Sequence, residues 1–169
     1  MKNVMVDLET LGNGSLAAII SIGAIEFDAK TGKLGRAFYT TVDAQSSVDA
    51  GLEIDASTVM WWMKQSVEAK AAFKDGGEPL KAALEAFANW YPKDALFWGN
   101  GATFDNVILS NAYRLTGIKR PWSYKADRCY RTLRNLYPKV TQDSVGIAHN
   151  ALDDATYQAL HAIKLLNSL

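Results

Sequence analysis

"VMVDLETLG" occupies residues 4–12. Val4, Val6 and Leu8 alternate with Met5, Asp7 and Glu9, the two-residue period of a β-strand, so Asp7 and Glu9 project side by side from one face. Two carboxylates on an exposed sheet edge would be harmless. The apolar alternate positions and the place of this strand at the opening of the fold point instead to a central location. There, like charges pressed together are costly unless a cation neutralises them. Oxygen-only ligands favour hard ions such as Mg²⁺ or Mn²⁺, and one acidic pair seldom completes such a site, so further carboxylates are expected from elsewhere in the chain.

Outward from this segment, three strands are expected over residues 3–8, 18–28 and 33–42. "GNGS" and the hairpin-forming "DAKTGK" link them. From Ala56 the apolar residues recur every three or four positions, the period of helices. These are "STVMWWMKQSVEAKAAFK" (57–74), with Ser57 as candidate N-cap, and "EPLKAALEAFANWY" (78–91), with Pro79 near its start. "ALFWGN" (95–100) reads as a short buried strand, "FDNVILSNAYRL" (104–115) as a helix and "SYKAD" (123–127) as a last strand. "RCYRTLRNLY" (128–137) and "NALDDATYQALHAIKLLN" (150–167) close the chain as helices. Three antiparallel strands followed by alternating helix and strand predict an α/β fold: a mixed sheet flanked by helices, in one domain over residues 1–169.

Cys129 is the only cysteine of the 169 residues, which excludes an internal disulfide and a cysteine-rich zinc module and makes a reducing compartment the default. The N-terminal residues resemble neither a signal peptide nor a membrane anchor, so a soluble cytoplasmic protein without a membrane partner is expected. Lysine plus arginine and aspartate plus glutamate both total 18, yet residues 111–140 hold eight basic residues against Asp127 alone. Such a local excess can draw a polyanion to one side of a neutral molecule, although solvated helix faces account for it equally well.

Asp105 falls where the strand ending "WGN" meets the next helix, a position that also suits an N-cap. His149 precedes the final helix, with Asp153 and Asp154 in its first turn. Acids there complement the helix dipole when taken singly. Four acids near element ends, with a histidine beside the last, supply what two-metal phosphodiester hydrolysis requires: carboxylates to clamp two ions and a base for the attacking water.

"VDLETLG", "GNGATFDNVIL" and "HNALDDA", in this order and at these separations, resemble the three motifs of the DnaQ-like exonuclease superfamily, in the branch named for Asp-Glu-Asp-Asp with His. The phage and prophage exonuclease VIII-like and ribonuclease T groups are similar in detail. The resemblance implies a ribonuclease H-like fold with a mixed five-stranded sheet, and a 3′-5′ exonuclease using two divalent cations, Mg²⁺ or Mn²⁺. It assigns Asp7, Glu9, Asp105 and Asp154 as metal ligands. His149 becomes the general base, because the family spacing of His followed by Asp at plus five selects Asp154 over Asp153. It places the 3′ nucleotide against Thr10 and Leu11. Many relatives carry Asn four residues before the second-motif Asp, where this chain has Gly101.

Phe104 and Trp62 are further candidates for substrate contact, with core packing the more ordinary role of an aromatic. Arg128 and Arg131, with Arg134, recur at three-residue intervals as a ridge on one helix that could meet phosphates. The implied partner is single-stranded nucleic acid or the 3′ end of a duplex, DNA or RNA, in a bacterial or phage-infected cytoplasm. Relatives include monomers and homodimers. A ribonuclease H or integrase-like endonuclease is the competing enzyme, disfavoured by the His-plus-five-Asp pairing, and a catalytically silent nucleic-acid-binding module is the competing class.

Overall fold

The computed structural model describes residues 2–73 and 76–168. Strands β1 (Asn3–Thr10), β2 (Ile19–Asp28) and β3 (Lys33–Thr41) form an antiparallel meander, and β4 (Leu96–Gly99) and β5 (Asp127–Cys129) add in parallel on the other side of β1. The sheet order is β3-β2-β1-β4-β5, which puts β1 at the centre, as its apolar alternation predicts.

The helices are α1 (Ala44–Asp49), α2 (Ala56–Met63), α3 (Leu80–Trp90), α4 (Asp105–Thr116), α5 (Tyr130–Leu136) and α6 (Ala151–Leu166). Val4, Val6 and Leu8 pack with Leu84, Phe87, Ile108 and Leu109 into the larger core on one face of the sheet. Met5 packs on the other face with Tyr130 and the alanines of α6, Ala155, Ala159 and Ala162. By the alternation of the strand, Asp7 and Glu9 therefore lie on the α6 face.

Two glycines set how closely the helices approach. Gly23, the register partner of Asp7 on β2, lies so near the start of α6 that a Cβ there would fall 2.1 Å from the backbone carbon of Ala151. A Cβ on Gly99 of β4 would fall 2.3 Å from Asn106 Oδ1 of α4. The missing methyl groups let each helix bring its first turn down to the end of β1. The β1–β2 register also shifts between Glu9 and Thr10, an irregular step at the strand end of the kind that re-aims side chains.

Three expectations need correction. The helix expected over residues 57–74 stops at Met63, and a short 3₁₀ turn, Ala69–Phe73, follows. The Ser66 hydroxyl accepts from Ala69 N–H at 3.1 Å, offering the backbone an alternative to the helical ladder, and Lys74 lies outside the described residues. Asp55, not Ser57, caps α2, its carboxylate accepting from Ser57 N–H at 2.9 Å. The last strand is Asp127–Cys129 instead of "SYKAD", because Ser123 starts a 3₁₀ turn over Tyr124–Ala126. Asp127 then enters the sheet opposite Phe97, its carboxylate accepting from Asn106 and from Trp122.

Candidate active site

The end of β1, the first turn of α4 and the first turn of α6 meet in a cavity of about 320 Å³ lined by Asp7, Glu9, His149 and Asp154, with Asn100, Arg134, Tyr157 and Gln158 around them. Asp105 lies beneath, fully buried, its two oxygens accepting from Leu8 N–H at 3.2 Å and from Asn100 N–H at 2.8 Å. It is thus the first residue of α4 and not its N-cap, and it ties β1, β4 and α4 together. Asp7 accepts from the Gln158 amide at 2.7 Å. Asp154 accepts from the backbone N–H of His149 at 2.9 Å, and ligand atoms of Glu9, His149 and Asp154 all lie within 4.8 Å of one another. The structure thus brings together the five sequence-predicted residues Asp7, Glu9, Asp105, His149 and Asp154.

Electrostatics explain what such a cluster needs. Burial, with neighbouring carboxylates adding repulsion, pushes Glu9 up to about 8 and holds Asp7 well above the ordinary carboxylate range. Burial alone drives Asp105 up to about 7, against hydrogen bonds and Arg131 that pull it down, and burial also raises Asp154. Among the described residues none of the four is in an ion pair with lysine or arginine; the ion pair formed is Arg36 with Glu26, elsewhere. An all-oxygen set with an adjoining imidazole, short of positive charge, fits hard divalent cations.

His149 has φ 64°, the left-handed region that non-glycine residues rarely adopt, at a cost of about 1–2 kcal/mol. It sits on an irregular segment between α5 and α6. Asp153 does not join the cluster; it accepts from Ile147 N–H at 2.8 Å and closes the turn ahead of His149. Asn150 then caps α6, accepting from Leu152 and Asp153 N–H. The imidazole stands edge-on to Trp61, with ring centroids 4.9 Å apart at 88°.

A second cavity, of about 390 Å³, adjoins the first and shares Leu8 and Glu9 with it; Thr10, Trp61, Trp62 and Phe104 complete its apolar wall, and Asn13, Ser57 and Thr58 its polar one. Of the tryptophan pair, Trp62 is the buried member, 4% exposed, and its indole N–H donates to Thr10 O at 2.9 Å, whereas Trp61 is 42% exposed. Leu11 belongs to the core beneath, its carbonyl accepting from Asp55 N–H.

The arginine ridge on one helix is not formed. Arg128 lies on β5, donating to the carbonyls of Lys125 and Asp127, and only Arg131 and Arg134 are on α5. Arg131 donates to Asn100 O at 2.7 Å, and its guanidinium fills the space beside Gly101, 3.3 Å from where a Cβ would stand. Gly101 has φ 117°, so both backbone and space disfavour the Asn of the family pattern, while Asn100 lines the acid cavity with its side-chain oxygen buried and unpartnered.

Gln158 joins the site from outside the three motifs, and its spacing signals it: four residues after Asp154, it stands on the same helix face. Arg134 and Tyr157 are further cavity residues, and the approach of Trp61 from α2 had no signal in local sequence.

Residues 2–166 match the family described as the 3′-5′ exoribonuclease Rv2179c-like domain. The chain is 27% identical over 129 residues to an exodeoxyribonuclease of Enterobacteria phage T4, a match that covers 68% of this chain and 56% of the phage protein, so the chain spans little more than half the length of that relative. Among solved structures, the nuclease domain of 3′hExo, a DEDDh family member bound to rAMP, superposes with a TM-score of 0.69 at 15% identity, over 99% of this chain and 92% of that one. E. coli exonuclease I in complex with a dA16 oligonucleotide gives 0.67 at 17% identity, over 99% of this chain and 41% of that one. These likenesses establish the same ribonuclease H-like fold expected from the motifs.

Proposed function

The chain belongs to the 3′-5′ exoribonuclease Rv2179c-like domain family, and on that premise we propose that it is a metal-dependent 3′-5′ exonuclease releasing nucleoside 5′-monophosphates from the 3′ end of single-stranded nucleic acid or of a duplex. The observation that carries this reading is the convergence of Asp7, Glu9, Asp105 and Asp154 with His149 beside a pocket lined by Thr10, Trp61, Trp62 and Phe104.

Asp7, Glu9 and Asp154, with Asp105 behind them, would hold two divalent cations, Mg²⁺ or Mn²⁺. When bound, the cations supply neutralisation of the scissile phosphate and acidification of water. Around them the chain's own groups have separate tasks. Thr10, Trp62 and Phe104 seat the terminal nucleoside. His149 accepts the proton of the attacking water. As the new P–O bond forms, the bond from phosphorus to the 3′ oxygen of the preceding nucleotide breaks, and that oxygen takes a proton from solvent. Gln158 orients Asp7, and Asn100 presents an amide to the strand. Arg134, at the cavity rim, meets a phosphate on the side away from the nucleoside pocket.

Incubation with matched 5′-labelled DNA and RNA oligonucleotides, in Mg²⁺, Mn²⁺ or chelator, tests this reading. A ladder shortening one nucleotide at a time from the 3′ end, abolished by chelator, is expected. Cleavage of a covalently closed circle would identify an endonuclease instead. Sedimentation of the same preparation distinguishes a monomer from a homodimer.

A further inference from the structure

Trp61 links the two cavities. It lines the one with Thr10, Trp62 and Phe104, and its ring also meets the edge of His149, which lines the other. The contacts connect the two: Thr10 O accepts from Trp62, Trp62 stands edge-to-face with Trp61 at 5.1 Å, and Trp61 with His149 at 4.9 Å, while Trp62 meets His149 only at the longer distance of 6.2 Å. His149 needs such help, since its backbone is left-handed and lies in an irregular segment. Its backbone N–H is fixed by Asp154, but no hydrogen bond of its imidazole is formed among the described residues, so the ring rests against the two indoles, that of Trp61 being the nearer. The Trp61 indole is itself only partly buried, leaving room for it to move until something packs on it.

We propose that Trp61 is a positioning residue that couples the terminal-nucleoside pocket to the histidine: a base seated in that pocket packs the indole, and the packed indole holds the His149 ring over the acid cluster. The inference rests on the exonuclease reading above and adds to it that the terminal base contributes to turnover as well as to binding. An enzyme built this way spends the contact energy of a part of the substrate remote from the bond broken on placing a catalytic group.

The test compares an oligonucleotide with an intact 3′-terminal nucleoside against one whose terminal residue is abasic, in steady-state kinetics of the first turnover product. For the wild type, kcat on the intact end exceeds that on the abasic end about tenfold, a separation that differs in kind from a change in KM. In Trp61→Ala the ratio of the two kcat values collapses towards one, and in Trp61→Phe, which keeps an aromatic ring, most of it is retained. The second readout needs no turnover. In metal-free protein, saturating thymidine or uridine shifts the ring resonances of His149 in the wild type but not in Trp61→Ala, while those of buried His161 stay put. A wild-type ratio near one, a ratio unchanged in Trp61→Ala, or a loss confined to KM overturns the proposal alone. Release of no mononucleotide from either end overturns the exonuclease reading and the proposal with it.

Discussion

The two halves of the site are held very differently. The carboxylates ride on regular elements: β1 is the central strand, and α4 and α6 are drawn against the sheet through Gly99 and Gly23, so Asp7, Glu9, Asp105 and Asp154 move only if the core moves. His149 comes from a segment without regular structure, strained in its backbone and leaning on a half-exposed tryptophan. Charge that must be concentrated against repulsion demands a stiff frame, whereas the proton-accepting role proposed for His149 suits a group that is delivered late and adjusted. The fold spends its rigidity on the acids.

The sharpest way to break this contrast is on the rigid side. Asp7→Asn removes a central carboxylate without altering shape, and turnover in a labelled-oligonucleotide assay should fall below detection while circular dichroism stays native; retained activity would separate the acids from the chemistry. On the adaptable side, His149→Asn, chosen because Asn tolerates the left-handed backbone, should lower kcat by about 10²–10⁴-fold. Its melting temperature should barely change, which is what separates a delivered group from a frame group.

Gly23→Ala attacks the frame itself. The added methyl would enter the backbone of Ala151, so chemical denaturation should show a loss of about 3 kcal/mol, and displacement of α6 should cost roughly 10²-fold in kcat. The smallest effect is on the acids as a charged set. Glu9 and Asp105 stand at about 8 and about 7 when folded, above their ordinary 4.5 and 3.8. A group raised by folding stabilises the protein below its unfolded pKa and loses that contribution as pH climbs through the folded one. Metal-free protein should therefore lose stability between about pH 4 and pH 8, with a melting point lower by roughly 5 °C at the upper end, and Mg²⁺ should restore it most at high pH.

Much of the frame was legible in the chain. The alternation in residues 4–9 placed β1 centrally and put both acids on one face, and the spacing from His149 pointed to Asp154, which lies near Glu9 and His149, while Asp153 turns to Ile147. What escaped were relations across space. Local period could not show that the helix begun at Ala56 would stop at Met63, that Asp127 would be claimed by Asn106 and Trp122, or that Arg128 would fall on a strand. Nor does any pattern in "TVMWWMKQ" announce that Trp61 meets His149, 88 positions away by number.

The placement of Asp7 and Glu9 on alternate residues of a central strand also makes the frame brittle to changes in chain length. Deleting one residue upstream of Asp7 while the ladder re-forms would turn the strand over like a card. Both acids would then be driven into the layer of Phe87, Ile108 and Leu109, and Leu8 and Thr10 would take their seats beneath α6. Substitutions can tune this site by degrees, but within β1 a lost or gained residue is all or nothing.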